Sequence, residues 1–173
     1  MPGFFFRSPF HFHFAVLYLI HTNLVGINET RWFLLNVTTK GRYALRVMLD
    51  LAQHRGEGFI SLKTVAERQD ISMKYLESIV CALKKAGLVE STRGKEGGYC
   101  LQRRPEEYSV GEILRCLEDS LAPVACIKDG SVDCAHAGEC MTLPMWMELD
   151  EITNAYLDRV TLQDLLSGEK WRS

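Results

Sequence analysis

From Asn36 onward, apolar positions recur with helical spacing in short, separated blocks. In Thr39–Gln53, Tyr43, Ala44, Val47, Met48, Leu51 and Ala52 share one side of a 3.6-residue period, with Arg42, Arg46 and Asp50 on the other. Residues 54–58 break this helix. Ser61 is suited to cap a short helix, Leu62–Gln69, with Leu62, Val65 and Ala66 on one face. After a connection at 70–72, Ser72 caps a second helix over residues 73–86. Its buried stripe is Leu76, Ile79, Val80 and Leu83, and Gly87 is its left-handed stop. Residues 89–92 and 99–101 read as strands around the Gly-rich tip RGKEGG. Residues 110–117 predict another short helix, and 119–140 carry little periodicity. Residues 143–158 predict a long helix with a stripe of Trp146, Leu149, Ile152, Ala155 and Tyr156, continuing to Val160. Thr161 and Asp164 resemble a capping box for a last turn or two.

Two short helices joined by a tight turn form the helix-turn-helix layout, and the hairpin after them reads as a wing. The expected fold is mainly α with a small β-wing, followed by a long C-terminal helix. That helix has little to pack on beyond a small winged domain, so burial against a copy of itself, giving a two-fold homodimer, is the simple solution. The alternative is packing within the chain. On the second helix of the pair, Lys74, Tyr75, Glu77 and Ser78 lie near the N-terminus and off the apolar stripe. Those positions reach base edges when such a helix enters the major groove. Arg93 at the wing tip is suited to the narrow minor groove, and Lys95, Arg103 and Arg104 to phosphates.

Charge supports this division. The 173 residues carry a formal net charge of -2, but residues 36–105 carry 13 basic and 7 acidic side chains, and residues 106–173 carry 5 and 14. A basic segment joined to an acidic one points to a polyanion-binding part attached to a part with another task. Composition (47% hydrophobic, 24% charged) excludes a wholly disordered chain and a multi-span membrane protein. No C-x-x-C, phosphate-binding GxxxxGK[ST] loop, paired carboxylates in a helical site or Ser–His pattern suggests an enzyme. A protein-interaction module built on the acidic end alone leaves the basic winged segment unexplained.

Residues 1–35 stand apart. They are apolar and aromatic, yet their longest unbroken apolar run, residues 14–20, is seven residues, against the roughly 20 of a spanning helix. They lack the basic n-region and small-residue cleavage site of a signal peptide. No membrane association is expected. We read the leader as a misassigned start, with Leu35 as the true first residue, or as a disordered extension. The expected division is 1–35 leader, 36–105 DNA-binding domain, 106–140 linker helix and sensor loop, and 141–173 dimerisation helix and tail.

Six cysteines complete the inventory. Cys81 sits in a helical pattern as a small hydrophobe, Cys100 in a strand and Cys116 on a helix face. Cys126, Cys134 and Cys140 crowd into fifteen residues, CIKDGSVDCAHAGEC, which reads as a ligand or redox cluster. Thiolates hold iron–sulfur clusters and zinc. A structural zinc held by the three cysteines with His136, or three inert thiols, are the alternatives.

The segments VTTKGRYALRVMLDLA, ISMKYLESIVCALKKAGLV and RGKEGGYCL closely resemble the Rrf2 family of bacterial winged helix-turn-helix regulators (the IscR, NsrR and CymR type), from about Asn36 to Leu166. The resemblance implies a cytoplasmic, dimeric transcription factor, read here as a repressor on a double-stranded DNA operator. It implies that Glu77 and Arg93 read DNA, and that Cys126, Cys134 and Cys140 bind a [2Fe-2S] or [4Fe-4S] cluster. It also implies that the long helix forms the dimer interface beside the cluster loop. Two positions depart from the family: Leu143 stands where IscR has a ligating His, and Arg42 where NsrR-like proteins place a carboxylate. The fourth ligand is then His136, Asp133, Glu139, a small molecule or a residue of the partner subunit.

Overall fold

A computed structural model describes residues 37–94 and 97–171. The leader therefore lies outside the described residues. In chain order the elements are α1 (Thr39–Gln53), α2 (Leu62–Gln69), α3 (Met73–Lys85), β1 (Val89–Thr92), β2 (Gly98–Leu101), α4 (Val110–Arg115), β3 (Ile127–Lys128), β4 (Ser131–Val132), α5 (Leu143–Arg159) and α6 (Leu162–Ser167). The mainly α fold with a two-stranded wing agrees with the sequence reading.

Helix α1 is central and packs against α2, α3, α4, α6 and β2. Its Ala44, Val47, Met48 and Leu51 are fully covered, meeting Leu76, Ile79 and Leu83 of α3. The Thr38 side chain caps α1 by accepting from the Gly41 N–H. Opposite the apolar stripe, Asp50 is 2% exposed but fully answered: Arg68 Nη2 donates to it at 2.8 Å and Gln69 Nε2 at 3.0 Å. Arg46 Nη2 donates to the Gln69 carbonyl at 2.6 Å. These bonds fix the end of α2, where Asp70 adopts φ 52, and so fix the turn into α3.

The wing strands pair antiparallel, Val89 opposite Leu101 and Thr92 opposite Gly98. Ile60 exchanges both backbone hydrogen bonds with Tyr99 as a third rung, at 2.9 and 2.8 Å. A Cβ on Gly98 would collide with the Ile60 backbone, so this close approach requires glycine. Gly87 ends the turn after α3 at φ 71, as expected.

Tyr108, fully buried, joins the wing to the C-terminal helices. Its hydroxyl donates to the Leu88 carbonyl at 2.9 Å and accepts from the Arg103 N–H at 2.8 Å. The Val110 N–H donates to the Val160 carbonyl at 2.8 Å, and the Leu162 N–H to the Tyr108 carbonyl at 3.0 Å. The end of α5 is thus held against the start of α4, and α6 returns to α1 with the expected Thr161–Asp164 capping box.

Several expectations need correction. Cys81 is exposed rather than part of the core. Ser72 occupies the N-cap position of α3 but makes no side-chain capping bond. The predicted α5 stripe divides: Leu149, Ile152, Ala155 and Tyr156 are exposed, joined by Met145 from outside it, while Trp146 turns partly inward and Val160 is buried. The reason is helical phase, since Trp146 lies about 100° around the helix from Met145. The segment 119–140 contains a hairpin, β3–β4, turned by Asp129 (φ 50) and Gly130 (φ 74).

Candidate nucleic-acid interface and cysteine loop

Helix α3 buries Leu76, Ile79, Val80 and Leu83 and leaves the opposite face open. Lys74, Glu77, Ser78, Cys81 and Lys84 are exposed at successive i+3 and i+4 steps along it. Cys81 belongs to this face, and its phase off the apolar stripe is the sequence signal for it. Glu77 is the only carboxylate of α3 and stands among lysines. Such a group weakens non-specific attraction to phosphates, and a carboxylate is able to accept a hydrogen bond. Tyr75 is half-buried, its ring packed edge-on against Tyr43 at 5.9 Å. Ser78 Oγ donates to the Tyr75 carbonyl at 2.7 Å, which leaves its lone pairs free to accept. Arg93 is exposed at the base of the wing tip. Lys95 lies outside the described residues.

The cysteine loop is folded tightly by its backbone. Cys126 and Cys134 flank the β3–β4 hairpin, and the Asp133 N–H donates to the Cys126 carbonyl at 2.9 Å. A single 3-10 turn, Ala137–Glu139, covers the step to Cys140, whose carbonyl accepts from Leu143 N–H in the first turn of α5. All three thiols are free and half-buried. The Thr142 hydroxyl and backbone beside Cys140 hold its thiol below the ordinary range, which favours thiolate. Burial pushes Cys116 up to about 11, and it also raises Cys100. Three thiols of which one leans to thiolate suit a soft metal centre by donor chemistry. Among the described residues, no three His, Cys, Asp or Glu side chains converge closely enough to hold a single metal ion.

Two further contacts hold the segment that leads into this loop, and neither is evident in the sequence. Glu118, at the loop entrance, accepts from both the backbone N–H and the hydroxyl of Thr38, each at 2.9 Å. Arg115 holds the far end of α5 through Asp158, at 2.7 and 2.8 Å, and Asn154, at 3.1 Å. The segment before the loop is thus held to the cap of α1 and to α5, and the loop's exit runs into the first turn of α5.

Residues 37–168 match the family model for Rrf2, described as an iron-dependent transcriptional regulator. The HTH-type transcriptional regulator IscR of Aliivibrio salmonicida is 39% identical over 132 residues, covering 76% of this chain and 77% of that protein. Protein rrf2 of Nitratidesulfovibrio vulgaris is also 39% identical over 132 residues, covering 76% and 87%. Among solved structures, CymR, the global cysteine regulator of B. subtilis, superposes with a TM-score of 0.63 at 39% identity, covering 76% of this chain and 96% of that one. T. potens IscR gives a TM-score of 0.61 at 40% identity, covering 80% and 91%.

Proposed function

The chain belongs to the Rrf2 family of transcriptional regulators, and from that premise we propose that it is a homodimeric, DNA-binding repressor whose cysteine loop holds an iron–sulfur cluster. It acts in the cytoplasm and senses iron–sulfur status, redox state or nitric oxide. The observation that carries this reading is the placement of Cys126, Cys134 and Cys140 in one short loop bound to α1 at its entrance and running directly into α5 at its exit.

Lys74, Tyr75, Glu77, Ser78, Arg93 and Lys95 form the DNA-contacting set. Glu77 selects a base, Arg93 enters the minor groove, and the lysines neutralise phosphates. Tyr75 contributes from a ring already braced on Tyr43. Met145, Leu149, Ile152 and Tyr156 of α5 meet their copies across a two-fold axis. The two α3 helices then stand roughly 34 Å apart, one helical turn of DNA.

Cys126, Cys134 and Cys140 are the cluster ligands from this chain. A bound cluster supplies iron centres that react with oxidants and nitric oxide. The fourth position is filled by Asp133, His136, Glu139, a small molecule or a group from the partner subunit. Glu118 transmits a change in the loop to the cap of α1, and α1 packs directly on α3. Arg115 transmits it to α5 and so to the dimer axis. Either route alters the spacing or angle of the α3 pair, which couples the sensing site to the DNA site.

The test is an absorption spectrum of protein purified without oxygen, with iron, sulfide and zinc assayed on the same sample. Visible bands with equimolar iron and sulfide are expected. Cys126→Ala, Cys134→Ala and Cys140→Ala each lose the colour and remain folded dimers. Cys81→Ala keeps it. A colourless protein even after reconstitution overturns the cluster. One zinc per chain would instead support a structural metal, and no metal at all a thiol-based regulator, for which the thiolate-leaning Cys140 is the reactive group.

A further inference from the structure

Helix α5 has three faces. Trp146, Asp150 and Leu157 turn inward, and Met145, Leu149, Ile152 and Tyr156 form the exposed apolar stripe. Between these two faces lies a flank carrying Met147, Glu151 and Ala155. With Ile127 and Gly130 of the cysteine-loop hairpin, this flank walls a groove of about 750 Å³. It lies beside the exposed stripe of Met145, Leu149, Ile152 and Tyr156, touching the stripe read from the sequence only at Ala155, and neither the proposed DNA-contacting side chains nor the three cysteines line it.

Two observations indicate its occupant. Glu148, Asp150 and Glu151 bring three carboxylates to the groove, and none of the described residues lining it is basic. Asp150 is only 6% exposed, and its Oδ1 has no hydrogen-bond partner. The Arg115 charge is close enough to act on Asp150, but the hydrogen bonds of Arg115 and Asn154 are made to other groups. Arg115 is bonded to Asp158 and Asn154, and Asn154 Nδ2 donates to the Asp150 main-chain carbonyl rather than to its carboxylate. A buried carboxylate left without a donor is costly, and a cation in the groove offsets that cost. Asp150 also lines an adjoining cavity of about 90 Å³ beside Arg115 and Asp129, so its carboxylate stands at the junction of the two spaces.

A bare metal ion is a poor match, because no three acidic, His or Cys side chains among the described residues converge there. A linear organic cation is a good one. Ile127, Pro144, Met147 and Ala155 offer apolar walls for methylene groups, and carboxylates at floor and rim take ammonium groups. We propose that this groove binds a small linear aliphatic diamine, one ammonium on Asp150 and the other on Glu148 or Glu151. Binding there bridges the cysteine-loop hairpin and α5, the two parts between which the regulatory movement runs.

The test uses the full-length protein and 1,4-diaminobutane as probe, followed by calorimetry and thermal unfolding. One diamine per chain and a raised Tm are expected. Butane-1,4-diol, with the same length and no charge, does not bind. Asp150→Asn weakens diamine binding at least tenfold, and Met147→Arg, which sets a tethered guanidinium in the groove, abolishes it. If Asp150→Asn does not fold, Met147→Arg still decides the matter. The proposal is overturned if wild type gives no binding heat, if neither variant changes it, or if magnesium chloride at matched ionic strength raises Tm equally in wild type and Asp150→Asn. It is also overturned if Asp150→Asn dissociates the dimer while wild type ignores the diamine, since a basic group of the second copy is then the occupant. None of these outcomes bears on DNA binding or on the cluster.

Discussion

Helices α1 and α5 are similar in length and opposite in what they hide. Helix α1 covers Ala44, Val47, Met48 and Leu51 completely, and its one buried carboxylate, Asp50, has two donors at hydrogen-bond distance. Helix α5 leaves Met145, Leu149, Ile152 and Tyr156 exposed, and its buried residue is Asp150, with an oxygen that no donor reaches. The winged half is complete within one chain. The half containing the cysteine loop and α5 leaves more apolar surface exposed. Its apolar stripe is exposed, and one oxygen of its buried carboxylate has no hydrogen-bond partner. The proposed sensing role falls on the half with the open surface, and the proposed DNA-reading role on the half with the closed core.

Substitutions can break the contrast directly. Leu76→Ala, in the closed core, is expected to cost about 2–5 kcal/mol of stability in chemical denaturation, whereas Ile152→Ala in an isolated subunit costs within about 0.5 kcal/mol. Equal losses would mean that α5 is packed within its own chain. Ile152→Asp is expected to convert the dimer to monomer in light scattering while the winged domain keeps its helical signal. Operator affinity should then fall at least a hundredfold, since one half-site is lost.

Smaller effects sharpen the comparison. Glu77→Ala should relax preference at one base pair by roughly 1–3 kcal/mol, measured by competition between operator variants. Loss that is uniform over all sequences would reduce Glu77 to a helix-terminus charge. The thiols should separate by pH. Cys140, whose thiol is held low by Thr142, should be alkylated by iodoacetamide at lower pH than an ordinary cysteine, and Cys116, pushed up to about 11 by burial, should stay protonated and inert through neutral pH. Peptide mapping of alkylation between pH 6 and about 9, which brackets the ordinary thiol range, reads this order.

Legibility in the sequence divides along the same line. In α1 and α3 the buried stripes Ala44, Val47, Met48 and Leu51 and Leu76, Ile79, Val80 and Leu83 follow a helical period long enough to fix the face, and Ser61 caps α2 as its position suggests, accepting from the Thr64 N–H. The wing is legible from its strands and glycines. Cys81 reads wrongly as core when a cysteine in mid-helix is counted as apolar, although its phase sets it beside Glu77. The β3–β4 hairpin escapes a periodicity reading because two-residue strands cannot show alternation. Its signal is the Asp129-Gly130 pair, which favours a tight hairpin turn with positive φ at both residues. Asp150 escapes for a different reason. Hydropathy assigns a carboxylate to solvent, and only its spacing from Trp146 and Leu157 reveals an inward position. The link from Glu118 to Thr38 spans 80 residues, and no local pattern encodes it.

The central claim is that the state of the cysteine loop sets DNA affinity. The most direct test is fluorescence anisotropy at fixed salt on a duplex selected by the protein itself. It compares cluster-loaded protein, the same protein stripped of its cluster, and Cys134→Ala. At least a tenfold difference between loaded and stripped protein is expected, with Cys134→Ala fixed at the stripped value under both treatments. Identical affinity in all three samples would contradict it.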